Sequence, residues 1–376
     1  MTEVMTNCLN IVRDLGPTFA GRAEKHDAED MFVADNYADL KKARFFSALV
    51  PTEMGGGGAS HSEMCAALKE LAGYCSSTAL ACSMHQHVVA AAVFNHRRGN
   101  PGAKLLEAVG AKELVMVSTG ATDWLASNGV AQKVEGGFRI DARKIFASGS
   151  PAGDMLASSA PYEDPEEGWQ VLHFPVPFSA EGVRIEENWR AMGMRGTGSH
   201  TVIYDDVFIP DEAIALRRPR GDFHAVWNVV LTVAMPLIMS VYTGIAERAA
   251  EIAREKAAKR PDPTATYSLG EMENALVTAQ LGHQAMVGIT NNYDFDPVNE
   301  TANNILIRKT ITANAAKQTV EKAIEAVGGI GYFRSTGLEK LLRDVYASQY
   351  HPLAEKKQLL FSGRMSQGLD PVDALN

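Results

Sequence analysis

The sequence predicts an α+β fold in which a helical region, a region of strands and a second helical region follow one another. Residues 1–112 and 222–376 carry apolar side chains at helical spacing, whereas residues 113–221 contain short runs of alternating character. The 376 residues are enough for two or three domains, and the sequence shows no internal repeat. We therefore expect an N-terminal α-helical domain, a middle β-domain and a C-terminal helical bundle with these boundaries.

The N-terminal region is predicted to consist of helices interrupted by a glycine loop. The segment LVPTEMGGGGAS at residues 49–60 contains a proline and four consecutive glycines, which predict the loop. After it, Ala66, Leu68 and Leu71 fall near helical spacing. The hydroxyl residues at 76–78 are typical of an N-terminal cap, so a further helix is expected over residues 79–94.

The middle region contains the features of antiparallel strands. Val130–Val134 and Phe138–Phe146 flank a Glu-Gly-Gly sequence that is typical of a hairpin. Val171–Phe178 contains prolines and is predicted to be an edge strand. The segment Trp189–Pro210, WRAMGMRGTGSHTVIYDDVFIP, joins a glycine-rich turn to a strand whose side chains alternate from residue 201 onward.

Two apolar stripes predict long helices in the C-terminal region. One runs through Ile245, Ala249 and Ile252, and the other ends at Gly328–Gly329, a pair typical of a helix stop. Residues 225–246 are mostly apolar and reach the length of a membrane helix, but a proline and several hydroxyl and amide side chains interrupt them. A buried helix of a soluble bundle is therefore the favoured interpretation.

Charge and cysteine content exclude several classes of function. The net charge of −9 argues against a nucleic-acid partner. The four cysteines form no C-x-x-C pair and the N-terminus has no signal-peptide pattern, so we expect a reduced, cytoplasmic protein that does not associate with membranes. Cys82, His85 and His87 do not share one helix face, and no metal site is expected.

Five segments resemble signature motifs of the acyl-CoA dehydrogenase superfamily, which includes acyl-CoA dehydrogenases and sister flavin-dependent monooxygenases. The segments are the loop at 49–60, KIFASGS at 144–150, Trp189–Pro210, EAVGGIGY at 325–332 and LLRDVYASQYHPLAEKKQ at 341–358. The resemblance covers most of the chain. It implies a flavoprotein whose helical domain is followed by a β-barrel-like domain and a four-helix bundle.

Two short strands are the candidate flavin contacts. The aromatic residue and hydroxyl in Phe146-Ala147-Ser148 suit the face and the N5 edge of a flavin, although an ordinary strand end explains the residues alone equally well. The resemblance places this pair at the flavin-facing W-x-[ST] position. It also places Val117, Ser118 and Thr119 along the pyrimidine side of the ring. The following loop, residues 118–123, is shorter than its family counterpart, which puts its contacts to a thioester in doubt.

The glycine segment near residue 330 bears on the choice of flavin. In the family, the glycines that Gly328, Gly329 and Gly331 resemble approach the diphosphate of FAD, often from a neighbouring subunit. Glu325 stands where the family has a glutamine, and a carboxylate beside a diphosphate is unfavourable. The resemblance therefore implies FAD, and Glu325 leaves FMN as the alternative. The same resemblance implies a homo-oligomer, with a tetramer preferred to a dimer.

The candidate catalytic residues follow from a missing glutamate. Acyl-CoA dehydrogenases use a glutamate to remove the substrate α-proton, and its two known positions fall on Pro352 and near Val229–Val230 here. His351 follows the Arg343–Asp344 pair at the spacing where the sister monooxygenases show a histidine. We predict that His351 and Ser148 take part in the chemistry. The alternative is that His351 and the following proline merely end a helix.

Three further residues are assigned to a substrate pocket: His85, Arg195 and Arg343. The sister monooxygenases place a pocket histidine in the helical region of His85 and His87, and Arg195 lies among glycines that leave its side chain free to reach a ligand.

The sequence thus predicts a flavin-dependent oxidoreductase, with monooxygenation by reduced flavin and O₂ favoured. Two alternatives remain. One is α,β-dehydrogenation of an acyl thioester by an unidentified base, and the other is a catalytically silent flavin- or ligand-binding homologue. The expected partners are a small-molecule substrate, for which an acyl-CoA is one candidate, and either a flavin reductase or an electron-transfer flavoprotein. The sequence does not identify the substrate.

Overall fold

A computed structural model describes residues 8–119, 123–259 and 262–373 of the chain, and it begins with five helices. They are α1 (Cys8–Ala28), α2 (Ala34–Lys42), α3 (His61–Tyr74), α4 (Ser76–Arg97) and α5 (Ala103–Lys112). A capping box starts α3, because the Ser60 hydroxyl accepts from the Glu63 amide while the Glu63 carboxylate accepts from the Ser60 amide. The glycine loop before it needs Gly56, where a Cβ would lie 2.2 Å from the Val50 carbonyl oxygen.

The predicted cap of α4 is wrong. The helix begins at Ser76, and its N-cap residue, Cys75, makes no side-chain capping bond. The three hydroxyls instead reach other elements: Ser76 donates to the Asp344 carboxylate, Ser77 accepts from the Gly196 amide and Thr78 accepts from the Asn36 amide. Polar residues that resemble a cap therefore tie α4 to three distant segments.

Strands β1 to β8 form two four-stranded sheets. The strands are β1 (Met116–Ser118), β2 (Val130–Val134), β3 (Gly137–Ala147), β4 (Met155–Asp164), β5 (Gly168–Pro177), β6 (Val183–Glu186), β7 (His200–Pro210) and β8 (Leu216–Pro219). One sheet has the order β1-β4-β5-β8 and the other β2-β3-β7-β6. Only the β1–β4 pair is parallel among the described strands. Apolar side chains of both sheets, including Ile140, Leu156 and Val202, share one buried core.

The predicted edge strand is β5, and it lies inside its sheet between β4 and β8. It pairs with β4 over its whole length but with β8 only over residues 170–173. Pro175 and Pro177 lie beyond the β8 pairing. No β8 residue stands opposite them to accept a backbone N–H, so the lack of one costs no hydrogen bond there. The prolines therefore mark the unpaired half of an interior strand.

The C-terminal bundle is formed by α6 (Val226–Ala258), α7 (Pro263–Thr290), α8 (Asn299–Val327), the short α9 (Leu338–Val345) and α10 (Glu355–Ser366). Helix α6 is long and apolar enough to cross a membrane, but 94% of its most apolar window is buried inside the protein. It packs against α7 and α8 on one side and against α3 and α4 on the other. The predicted α+β fold, with helices, curled sheets and helices in sequence, is confirmed.

Candidate active site

A cavity of about 480 Å³ opens where the β-domain meets α4, α6 and the turn after α9. Its lining is mostly apolar, and in the described part of the chain it contains no Asp, Glu, Lys or Arg. The polar lining residues are His87, Ser118, Ser148, Thr197, Ser199, Tyr350 and His351.

A bulge in the β3–β7 pairing shapes the strand side of the cavity. The register shifts between Lys144 and Ala147, which turns Phe146 and Ser148 toward the cavity. The Phe146 ring is 46% exposed and meets the Trp189 ring edge-on, with centroids 5.5 Å apart. The Ser148 hydroxyl lies 2.8 Å from the Ser199 hydroxyl. These residues offer an aromatic face beside a hydroxyl, as the sequence predicts.

Of the β1 and β3 residues predicted to contact a flavin, some line the cavity and others lie in the core of the β-domain. Ser118 lines the cavity, whereas Val117 and Ala147 are fully buried in the core of the β-domain. The Thr119 hydroxyl donates to the Asp123 carboxylate at 3.3 Å. Residues 120–122 of the shortened loop lie outside the described residues. Alternation along each strand explains the division, because only every second side chain faces the cavity.

His351 follows a 3-10 turn at Tyr346–Tyr350 and contributes its ring to the cavity wall. Its Nε2 lies 2.5 Å from the hydroxyl of Tyr242, a fully buried residue of α6. Burial, with the charge of Lys309 as a smaller cause, lowers the pKa of His351 to about 3. Lys309 donates to the Leu353 carbonyl at 3.0 Å and so anchors the turn that carries His351. His351 is therefore neutral at physiological pH.

His85 does not line the cavity, and its assignment to the substrate pocket is corrected. Its Nδ1 accepts from the Met116 amide at 2.9 Å, and its Nε2 donates to the Phe46 carbonyl at 2.8 Å. The fully buried ring thus joins α4 to the start of β1. Two residues later, His87 does line the cavity, and its Nδ1 donates to the Ser83 carbonyl at 3.3 Å.

Arg343 and Arg195 are also corrected, because acidic residues at the end of α1 bind both side chains. Arg343 pairs with Asp27 at 2.6 Å and with Glu339 at 2.7 Å, and these contacts raise its pKa. Arg195 donates to the Ala191 carbonyl at 3.0 Å and lies 3.6 Å from Asp30. Neither guanidinium lines the cavity. Both brace the loop that carries Met194.

Asp344, which follows Arg343 in the sequence, supports the cavity wall from outside. The buried Asp344 carboxylate accepts from the Met194 amide, the Ser76 hydroxyl and the Lys340 ammonium, each at 2.5 Å. The Trp189–Ser199 loop approaches the backbone of α9 so closely that a Cβ at Gly193 would lie 2.2 Å from the Arg343 carbonyl oxygen. One carboxylate therefore holds the Trp189–Ser199 loop against α4 and α9.

The sequence-based assignments missed the tryptophans and the buried cations behind them. Trp124, Trp189 and Trp227 line the cavity, which is three of the four tryptophans in the chain. Behind them, the fully buried Arg218 donates to the Trp124 carbonyl at 3.0 Å and lies over the Trp227 ring at 5.2 Å. Composition gives only the number of tryptophans, and no local pattern indicates that three residues spread over positions 124–227 meet at one cavity.

A second buried cation fixes the loop that carries Trp124. Lys144 is fully buried and pairs with Asp123, which is 3% exposed, at 2.9 Å. Lys144 also donates to the Asn128 carbonyl at 2.8 Å. The pair therefore ties β3 to residues 123–128, immediately beside the cavity wall.

The neutral buried histidines predict acid sensitivity of the fold. Burial lowers the pKa of His61, His85 and His283 to about 4, against about 6.5 in the unfolded chain. Between these values the unfolded chain binds more protons, so we expect the free energy of unfolding to fall as pH drops from about 6.5 to 4. Urea unfolding at pH 7, 6 and 5 measures this decline, and His85→Asn should reduce its slope. A free energy that stays constant from pH 7 to 5 would contradict the prediction.

Comparison with known proteins shows which family this architecture resembles. Residues 13–104 match the acyl-CoA dehydrogenase N-terminal domain, and residues 237–356 match the acyl-CoA dehydrogenase C-terminal domain. The chain is 25% identical to cyclohex-1-ene-1-carbonyl-CoA dehydrogenase of Syntrophus aciditrophicus, over 97% of this chain and 90% of the relative. It is 24% identical to the flavin-dependent monooxygenase oxygenase subunit HsaA of Rhodococcus jostii, over 89% of this chain and 91% of the relative.

Solved structures share the whole fold. The structure of KijD3 in complex with FMN and a dTDP-linked amino sugar superposes with a TM-score of 0.88 at 23% identity, covering 98% of this chain and 95% of that one. Fold, cavity and relatives define an enzyme of the flavin-dependent oxidoreductase class. The chain belongs to the acyl-CoA dehydrogenase superfamily.

The residues of the cavity fit a flavin ring. Phe146 presents an aromatic face, and the hydroxyls of Ser118 and Ser148 are placed to bond a polar ring edge. The glycine segment lies elsewhere, in a 3-10 turn after α8, and none of Gly328, Gly329 and Gly331 lines the cavity. Binding of a flavin by that segment stays a prediction. It requires the exposed turn to reach the flavin of a second subunit.

Proposed function

We propose that this protein is a flavin-dependent monooxygenase that works with reduced flavin and O₂. One observation carries the proposal: Pro352 and Val230, on or beside which the resemblance places the two known positions of the dehydrogenase glutamate, both line the cavity. Neither has a basic group, and no carboxylate lines the described cavity. Removal of an α-proton needs a base within hydrogen-bond reach, and a carboxylate is absent from both places.

The described side chains have roles that suit oxygenation. The flavin, when bound, supplies the electrons that activate O₂. Phe146 would pack against the ring, Ser148 would bond its edge, and the neutral His351 would donate a hydrogen bond to the reacting group. Trp124 and Trp227 add large apolar surfaces to the lining, which disfavour water in the cavity. A monooxygenase of this kind needs a separate flavin reductase as its source of reduced flavin.

We expect purified protein to retain FMN or FAD through gel filtration, with mass spectrometry of the extract identifying which. Phe146→Ala removes the aromatic face and should weaken flavin affinity by about tenfold, since ring stacking contributes about 0.5–1.5 kcal/mol beyond burial. Phe208→Ala is the matched control, because Phe208 is 42% exposed in the same domain and does not line the cavity. Absence of flavin absorbance after reconstitution with excess FMN and FAD would contradict the proposal.

Anaerobic and aerobic mixing separate the candidate reactions. Butyryl-CoA or octanoyl-CoA added to the oxidised holoprotein without O₂ should leave the flavin absorbance unchanged. Reduced holoprotein mixed with O₂ should reoxidise through more than one spectral phase. Rapid bleaching by an acyl-CoA would favour dehydrogenation instead, and protein that neither bleaches nor reoxidises would favour the catalytically silent homologue.

We also propose a cytoplasmic homotetramer. The four cysteines are free, as a reducing compartment requires. Val277, Leu281 and Ile311 are about half exposed on α7 and α8, and a partner subunit would cover them. Light scattering should give a mass close to four times the 40.6 kDa chain. Leu281→Arg should lower that mass, whereas Trp169→Arg in the β-domain should not; a single-chain mass for the unaltered protein would contradict the proposal.

A further inference from the structure

Within the described part of the chain, the His351 ring has one hydrogen bond, and its partner is the buried Tyr242. Tyr242 on α6 is fully buried, and its hydroxyl lies 2.5 Å from Nε2 of His351. Among the described residues, His351 is the one hydrogen-bond partner of this hydroxyl. Nδ1 of His351 has no partner in the same part of the chain, and the ring lines the cavity. The two ring nitrogens therefore differ, because Nε2 has a protein partner and Nδ1 has none among the described residues.

The direction of the Tyr242–His351 bond follows from the number of hydrogens. A phenol has one hydrogen to donate, and a neutral imidazole has one donor nitrogen and one acceptor nitrogen. If Nε2 carried the hydrogen, the buried Tyr242 hydrogen would have no acceptor, which buried donors rarely tolerate. The Tyr242 hydroxyl therefore donates to Nε2, and the hydrogen of His351 resides on Nδ1.

The surroundings keep both groups in these protonation states. Burial lowers the pKa of His351 to about 3, with the charges of Lys309 on α8 and His87 on α4 as smaller causes. Burial raises the pKa of Tyr242 well above its ordinary value, with the charge of Asp344 as a smaller cause. The Asp344 carboxylate takes no hydrogen from Tyr242, because its bonds go to the Ser76, Lys340 and Met194 groups described above. His351 thus stays a neutral ring with a fixed donor.

We propose that Tyr242 is a positioning residue that holds His351 in the Nδ1–H tautomer, so that His351 meets any ligand in the cavity as a hydrogen-bond donor. His87 has the opposite polarity, since its Nδ1 donates to Ser83 and leaves Nε2 as an acceptor. The tautomer stands on the geometry alone. Its use in turnover rests on the proposed function.

Nitrogen NMR of histidine-labelled, flavin-reconstituted protein tests the tautomer directly. His351→Gln identifies the His351 signals by their loss. The expected spectrum of the unaltered protein at pH 7 has a protonated Nδ1 and an unprotonated Nε2. Tyr242→Phe removes only the hydroxyl and should shift the population toward the Nε2–H tautomer. Tyr293→Phe is the matched control, because Tyr293 is a buried bundle tyrosine whose hydroxyl has no hydrogen-bond partner among the described groups.

Two results would overturn the proposal: a protonated Nε2 in the unaltered protein, or an unchanged tautomer in Tyr242→Phe. Should Tyr242→Phe fail to fold, the spectrum of the unaltered protein still decides between the two tautomers. The experiment involves no turnover, so it separates this proposal from the proposed function. A protonated Nδ1 in a protein that does not react with O₂ would leave Tyr242 its positioning role while removing the monooxygenase reaction.

Discussion

His351→Ala is expected to slow turnover of a true substrate by about 10²–10³-fold, the range typical for loss of one fixed hydrogen-bond donor that stabilises developing charge. The side chain lines the cavity, is neutral, and is held by Tyr242 and by the turn that Lys309 anchors. Removing it leaves Tyr242 without its partner and the cavity without its one histidine on this wall. Stopped-flow absorbance and product analysis measure the loss, with hydrogen peroxide release as a second readout.

His283→Ala is the matched control for that variant. His283 is also buried, and its Nε2 lies 2.7 Å from the Ser240 hydroxyl on α6, but it does not line the cavity. It should cost stability and leave the chemistry intact. If His351 merely ends a helix, its replacement should likewise cost about 1 kcal/mol of stability with little change in rate. Equal activity of His351→Ala and unaltered protein on a true substrate would remove the residue from the mechanism.

Lys144→Met is expected to destabilise the fold by about 3–5 kcal/mol, because it leaves a buried carboxylate without its cation. Asp123 is 3% exposed, and its remaining contacts to Thr119 and Asn128 carry no positive charge. Thermal or urea unfolding measures the loss. The double variant Lys144→Met with Asp123→Leu should recover most of it, since an apolar pair of similar volume often replaces a buried ion pair without cost.

The exposed pair Lys133–Asp211 supplies the comparison. Its partners are 43% and 52% exposed, so Lys133→Met should change stability by at most about 1 kcal/mol. Similar losses for the Lys144 and Lys133 variants would show that burial does not control the strength of the Lys144–Asp123 pair. A further loss in the double variant would show that the two residues do more than neutralise each other.

Periodicity was sufficient for the order of helices and strands, and the family resemblance was sufficient for part of the cavity. Phe146 and Ser148 lie on its wall at the end of β3, and His351 lies there directly after the turn at Tyr346–Tyr350. His85, Arg195 and Arg343 have the residue types of ligand contacts, yet their partners are protein groups. The Arg343 partner Asp27 is 316 positions away, and no local pattern indicates such a contact.

Tyr242 is a further residue whose polar partner no local sequence pattern indicates. In the sequence it is one apolar position of a long helix, and its contact with His351 spans 109 residues. Helical periodicity places it inside the bundle but says nothing about which polar group it meets there. Only the packing of α6 against the turn after α9 brings the two together.

The Asp344 carboxylate also has a consequence for the order in which the protein is assembled. It supports Met194 across 150 positions and Ser76 across 268, and it lies in the last tenth of the chain. During synthesis, the helical and strand regions emerge before their common support exists. Contacts of such long sequence separation form late and slowly. The cavity is therefore complete only after α9 and the turn that follows it have been synthesised, and a fragment that stops before α9 lacks both His351 and this support.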